Sequence, residues 1–128
     1  TGVQTCALPI FLYAGYDDRY QFQLFTSNPS GNYSGWKATS IGANNSAAQT
    51  LLKKDYKDDL TLKDACELAI KVLSKTMDAS NINSEKLEFA TLSLGKDNKV
   101  LHKIWNDKDI DILIKASGVL NEKNSDDE

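Results

Sequence analysis

The sequence is poor in the residues that catalysis and metal binding usually draw on. Its 128 residues hold one histidine, one methionine, two cysteines and two prolines. His102, the single histidine, has no Ser or Cys motif around it and reads as structural. Cys6 and Cys66 form no disulfide framework and no metal-ligand spacing, which favours a reducing, intracellular compartment. A basic excess is missing as well: 15 Lys and Arg stand against 18 Asp and Glu, a net charge of -3. That balance argues against nucleic acid as a partner. No apolar run reaches the length of a bilayer span, so no membrane partner is expected. The apolar stretch 7–14 is short and lacks the charged flank of a signal peptide.

What is present suits one folded domain. The chain is 41% hydrophobic and 26% charged, ordinary values for a globular protein. A single domain of this length buries roughly two-thirds of its extended surface. Two glycosylation sequons, at Asn32 and Asn44, read as chance matches in a turn and at a helix start.

Periodicity sets the expected order of elements. Residues 11–15 read as a strand and 20–26 as another, in which Tyr20, Phe22, Leu24 and Thr26 alternate with Gln21 and Gln23 while Phe25 breaks the pattern. The stretch 15–19 between them has hairpin composition. Asn28-Pro29-Ser30-Gly31 is a turn, with Pro29 presetting φ and Gly31 free to take φ > 0. A third strand is expected over 33–41. Asn44 or Asn45 caps a helix to about residue 57, with Ala47, Ala48, Leu51, Leu52 and Tyr56 as its apolar stripe. Thr61 caps a second helix, with Asp64 completing a short capping box. Leu62, Cys66, Ala69, Ile70, Leu73 and Met77 share one face of it, the strongest periodic signal in the chain. Residues 78–83 read as loop and 87–94 as a strand. Gly95-Lys96-Asp97-Asn98 is a hairpin connection, and 100–105 is the partner strand. A short helix follows over about 108–116, buried through Ile110, Leu113 and Ile114, with Gly118 placed to end it. Residues 121–128 are polar and read as a disordered acidic tail. Hairpin-linked strands grouped around adjacent helices specify an α+β fold with antiparallel strands, two long helices and a short C-terminal one.

Several residues invite a chemical reading and lose it to a plainer one. Asp17 and Asp18 are adjacent, so in a strand their carboxylates point to opposite faces and do not converge. Ser30 lacks the leading glycine of a nucleophile elbow. Gly31, Gly35 and Gly42 lack the lysine and neighbouring hydroxyl of a phosphate loop. Cys66 lies on an apolar stripe, where cysteine acts as a small hydrophobe. Lys53, Lys54, Lys57, Asp55, Asp58 and Asp59 read as a solvated helix end of mixed charge. Tyr33 and Trp36 are either interface anchors or core. No catalytic, cofactor-binding or metal-binding residue is assigned, and no cofactor is expected.

The stretch from Asn28 through Pro-Ser-Gly-Asn-Tyr-Ser-Gly-Trp-Lys-Ala to Ile41-Gly42 resembles proteasome alpha subunits, where a "DPSG" turn leads through a strand to an "A-x-x-IG" stop and a long helix. Within that family the wording is nearest the alpha type-4 branch. Tyr13-Ala14-Gly15-Tyr16-Asp17 is similar to the family's "Y-x-G-x-D" strand, and Gln23-Leu24-Phe25-Thr26-Ser27 to its "QLYxS" strand. Ser46 to Tyr56 resembles its third helix, Leu68 to Leu73 its fourth, and Glu88-Phe89-Ala90-Thr91-Leu92 a late strand.

The resemblance covers about 11–120. It implies the second half of a four-layer αββα sandwich of the amino-terminal-nucleophile-hydrolase type. It also implies a non-catalytic structural subunit of the alpha ring of the 20S core particle, acting in ubiquitin-dependent protein degradation through assembly, gating and activator docking. Partners would be neighbouring alpha subunits, the beta ring and regulatory particles or activators, in cytoplasm and nucleus. The family's first half, with its "YDxxxxxFSPxGRLxQVEYA" signature, has no counterpart here, and a sheet face meant for burial is therefore expected to be exposed. Residues 1–10 match nothing in the family at this point and are expected to be a non-native, adapter-derived segment. Thr1 resembles the nucleophile of the active beta-type relatives, but the strands and lysine that such a nucleophile needs are not found after it. An amino-terminal threonine hydrolase and a stand-alone binding module are the alternative readings.

Overall fold

The computed structural model describes residues 9–77 and 82–122. The elements run β1 (Phe11–Asp17), β2 (Gln21–Ser27), β3 (Tyr33–Trp36), α1 (Asn45–Asp55), α2 (Leu62–Thr76), a single 3-10 turn (Ser84–Lys86), β4 (Ala90–Leu94), β5 (Val100–Ile104), α3 (Asp107–Ala116) and α4 (Val119–Glu122). Helices and antiparallel strands are both present, as an α+β fold requires.

Among the described residues the strands form two sheets. One has the order β1-β2-β3 and the other pairs β4 with β5. The β1–β2 hairpin turns on Asp17, whose Oδ1 accepts the backbone N–H of Arg19 at 2.9 Å and of Tyr20 at 2.6 Å. This Asx geometry lets β1 run to Asp17, two residues past its expected end. The β2–β3 connection is organised by Asn28. Its Oδ1 accepts from the Ser30 N–H, the Ser30 hydroxyl and the Asn32 N–H. Gly31 donates to the Asn28 carbonyl at 3.1 Å and sits at φ 88°, the left-handed value that favours glycine.

Three further expected boundaries are corrected. β3 ends at Trp36, not at residue 41, because its last rung is Leu24 opposite Trp36. Beyond it the chain leaves the sheet for α1, where Gln49 Nε2 donates to the Ser40 carbonyl at 3.2 Å. β4 starts at Ala90, not at residue 87, because Leu87 is drawn into the helical core and Phe89 packs against it. After Gly118 the chain forms α4, which covers Asn121 and Glu122 of the expected tail. Val119, 4% exposed, docks that turn on the core. Expectations about residues 1–8, 78–81 and 123–128 lie outside the described residues.

The principal core sits among the helices. Cys66 and Ile70 of α2 meet Ile110, Leu113 and Ile114 of α3, together with Ile82, Leu87 and Val119. Leu73, Met77, Phe89 and Trp105 flank this cluster. Ile70 and Ile110 are the largest fully enclosed side chains, each worth about 1.5–3 kcal/mol by apolar burial. Of the α2 stripe read from periodicity, Cys66 and Ile70 lie in the core and Leu73 and Met77 flank it, while Ala69 is half-buried outside the cluster and Leu62 at the first turn is exposed. Trp105 closes one side: its indole N–H donates to Thr91 Oγ1 at 3.1 Å and its ring stands edge-on to Phe89, with centroids 5.7 Å apart.

Helix ends follow local chemistry. Asp64 N–H donates to Thr61 Oγ1 at 3.2 Å, and the hydroxyl donates to Asp64 Oδ2 at 2.8 Å, so the expected cap forms. Asn106 caps α3 by accepting from Asp109 N–H at 2.9 Å. Asn44 precedes α1 but makes no side-chain cap.

Candidate functional site

Strand register assigns each residue of β1-β2-β3 to one of two faces. Phe11, Tyr13, Phe25 and Tyr33 share the outer face, because Phe11 opposes Ser27, Tyr13 opposes Phe25 and Tyr33 opposes Ser27 across the rungs. Leu12, Ala14, Phe22, Leu24 and Trp36 share the inner face. Trp36 and Ala38 meet Gln49, Leu52 and Tyr56 of the α1 region around one small cavity, so the inner face looks toward the helices.

The outer face is aromatic and open. Phe11 is 52% exposed, Tyr13 51% and Tyr33 76%. The Phe11 and Tyr13 rings lie 6.1 Å apart and those of Phe25 and Tyr33 6.3 Å apart. Phe25, which breaks the alternation of its strand, lies here over Gly35, where an added Cβ would come within 3.3 Å of its ring. Contiguous apolar surface of this kind marks a contact surface.

The two residues left undecided by sequence separate. Tyr33 stands on the outer face. Trp36 lies on the inner face and donates its indole N–H to Thr26 Oγ1 at 3.0 Å. Phe11 and Tyr13 were not singled out in the sequence, although their period-two spacing places them on one face.

A second feature is a cavity of about 620 Å³ beneath the inner face, reaching the α1–α2 connection and β4. Its lining is mainly apolar, with Leu24, Trp36, Leu60, Leu62, Leu92 and Leu94 among the residues around it. Lys37, also part of the lining, reaches Asp58 with 2.7 Å contacts to both carboxylate oxygens. The hydrogen bond and the charge of Asp58 raise the Lys37 pKa above the ordinary lysine value. Both side chains are 70% exposed, so the pair adds little stability.

The remaining candidates do not converge. Asp17 is occupied by two backbone donors in its hairpin. His102 lies exposed on β5 opposite Leu92. Ser30 bonds Asn28 within the turn. Cys66 is buried, and burial pushes its thiol pKa up, with Glu67 adding to the rise; a thiol held protonated is a poor nucleophile. Asp55 of the charged helix end contacts Lys71 of α2 at 3.6 Å. Among the described residues, no group of three His, Cys, Asp or Glu side chains is placed to hold a metal ion. Thr1 and Cys6 lie outside the described residues.

The described residues define an α+β chain with an open aromatic sheet face. The proteasome subunit family profile matches residues 8–92, and the chain belongs to that family. It is 58% identical over 120 residues to the proteasome subunit alpha type-3 of Saccharomyces cerevisiae, covering 92% of this chain and 46% of that protein. It is 54% identical over 109 residues to the proteasome subunit alpha type-4 of Spinacia oleracea, covering 85% and 44%. The alpha type-4 subunit of Dictyostelium discoideum is 56% identical over 108 residues, covering 84% and 43%. The chain spans about half the length of the curated relatives it matches.

Proposed function

We propose that this chain is the second half of a non-catalytic alpha subunit of the proteasome 20S core, folded as part of an αββα sandwich. It acts by shape: it presents surfaces to neighbouring alpha subunits and the beta ring, and through the assembled ring it supports gating and activator docking. Cytoplasm and nucleus are the corresponding compartments. The observation that carries this reading is the 58% identity to an alpha type-3 subunit over nearly the whole chain. The open Phe11-Tyr13-Tyr33 face supports it, since an obligate interface exposes apolar surface once its partner is removed.

The test is incorporation. The full 128-residue chain, tagged and expressed in yeast, is followed by native electrophoresis and affinity capture. Co-migration of the tag with assembled 20S particles is the expected result. A tag confined to free monomer or small soluble oligomers would overturn the proposal. In the same preparation, an epoxyketone probe for catalytic threonine is expected to leave Thr1 unlabelled. A covalent adduct there would favour the hydrolase reading instead.

A further inference from the structure

Every residue of β5 is exposed. Trp105 N–H donates to the Phe89 carbonyl at 2.9 Å, and Gly95 N–H donates to the Lys99 carbonyl at 2.8 Å. In an antiparallel ladder, alternate residues exchange both backbone bonds with the partner strand. Leu101 and Lys103 therefore bond β4, while Val100, His102 and Ile104 direct their N–H and C=O groups to the opposite side. Among the described residues no strand pairs with that side. An outward charge, a proline or a bulge commonly guards such an edge. β5 holds no proline, and its register with β4 runs without a bulge. Its lysine is drawn toward α3 instead: Lys103 Nζ lies 4.2 Å from the Trp105 ring centre and 3.5 Å from an Asp109 carboxylate oxygen.

The sequence of this edge suits a second copy of itself. Val100-Leu101-His102-Lys103-Ile104 carries a β-branched apolar residue at each end and histidine at its centre. Two copies paired antiparallel about His102 set Val100 of one against Ile104 of the other. These side chains are 43% and 75% exposed, and β-branched cross-strand pairs stabilise a sheet. Leu101 then opposes Lys103, whose aliphatic stem can cover it. Lys99 of the second copy comes opposite Trp105, beside a cavity of about 480 Å³ whose wall holds Glu88 and Asp107. The neighbouring registers are worse. Centred on Lys103, they set that lysine against its own copy; centred on Leu101, they set Lys103 against Lys99. Like charges directly opposite are destabilising, so the register about His102 is selected.

We propose that β5 is a self-pairing edge: two copies of this chain join antiparallel through β5, with the two-fold axis at His102. The outward backbone groups of Val100, His102 and Ile104 bond those of Ile104, His102 and Val100 of the second copy. The two hairpins become one continuous sheet in which each β5 is an inner strand. A two-fold contact of this kind uses the same patch on both copies. It is separate from the aromatic outer face of β1-β2-β3. The proposal goes beyond the alpha-ring reading and does not depend on it.

The test follows the full chain by light scattering and amide exchange across a dilution series. A dimer is expected at the concentrated end and monomer at the dilute end. In the dimer, exchange at Val100, His102 and Ile104 should slow about tenfold or more, while Leu101 and Lys103, bonded to β4, stay protected throughout. His102→Lys and His102→Glu each place like charges on the axis, and each alone is expected to weaken the dimer about tenfold or more. Mixed in equal amounts they oppose lysine to glutamate, and a heterodimer should return. Tyr33→Ala, on the other sheet, should leave the dimer intact. Because His102 is exposed, circular dichroism should show both charge variants folded; if either is altered, the exchange pattern of the parent chain decides. A chain that stays monomeric throughout overturns the proposal. So does a dimer that both charge variants retain, a mixture that restores nothing, or a dimer without protection at Val100, His102 and Ile104. Incorporation into 20S particles would stand or fall separately from each of these results.

Discussion

Asn44 and Thr76 join the start of α1 to the end of α2: Asn44 Nδ2 donates to the Thr76 carbonyl at 2.7 Å. The bond satisfies one of the carbonyls that a helix end leaves unpaired. It also explains why Asn44, expected to cap its own helix, does not. Its backbone is left-handed, with φ 59° and ψ 21°, and its side chain serves the neighbouring helix instead. Asn44→Ala removes the bond and places in the left-handed region a residue that tolerates it less well than asparagine, so a loss of about 1–2 kcal/mol is expected in urea unfolding. Asn44→Gly keeps the backbone and loses the bond alone, and its cost should be smaller. An Asn44→Gly variant as stable as the parent chain would show that the tie between the helices contributes nothing.

The cap on α2 offers an independent check. Thr61 Oγ1 accepts from Asp64 N–H and its hydroxyl bonds the Asp64 carboxylate. Thr61→Ala is expected to cost about 1 kcal/mol, and Thr61→Ser close to nothing. Amide exchange in the first turn of α2 should rise in Thr61→Ala before it rises near Ile70.

Ile70 and Tyr33 should separate stability from association. Ile70 is fully enclosed by α2, α3 and their neighbours, so Ile70→Ala is expected to cost about 2–5 kcal/mol. Tyr33 is 76% exposed on the outer sheet face, so Tyr33→Ala should change monomer stability by no more than about 0.5 kcal/mol. Incorporation into 20S particles should nevertheless fall with Tyr33→Ala. A variant that incorporates as well as the parent chain would remove Tyr33 from the proposed contact surface.

What could be read in advance follows from how local each cause is. The α2 stripe, the Thr61 cap, the Asn28 turn and the stop at Gly118 depend on a few neighbouring residues, and each is found where its spacing puts it. Gly118 takes φ 74° directly after α3. Ile82 and Val119 were not legible: Ile82 is an isolated apolar residue outside any helix or strand and Val119 opens a four-residue helix, and each is buried only because α2 and α3 come together around it. The end of β3 was likewise misplaced because it is set by the length of its pairing with β2 and by the pull of α1. The aromatic outer face was legible as a consequence of the family resemblance. Its membership was not, since Phe25 joins Tyr33 only through the β2–β3 register.

Cys66 gives the core a defined response to alkaline pH. Burial raises the thiol pKa in the folded protein, with a smaller contribution from the charge of Glu67, while in the unfolded chain it takes its ordinary value. Below the ordinary thiol pKa both states hold the proton, and stability is at its full value. As pH rises through that range, the unfolded chain releases the proton while the folded core retains it, so unfolding is favoured. The loss continues until pH reaches the folded pKa. In a Cys6→Ser background, with Cys66 as the remaining thiol, the urea midpoint should fall between pH 7 and pH 10 more steeply than in the Cys6→Ser, Cys66→Ala double variant. Lysine and tyrosine titration is common to both proteins, so the difference isolates the thiol. Cys66→Ala is expected to cost about 1 kcal/mol at pH 7 from lost burial, and the gap should narrow toward pH 10. Parallel pH profiles would mean that the thiol ionises as easily in the folded protein as in the unfolded one, which its place against Ile70 and Ile110 in the core argues against.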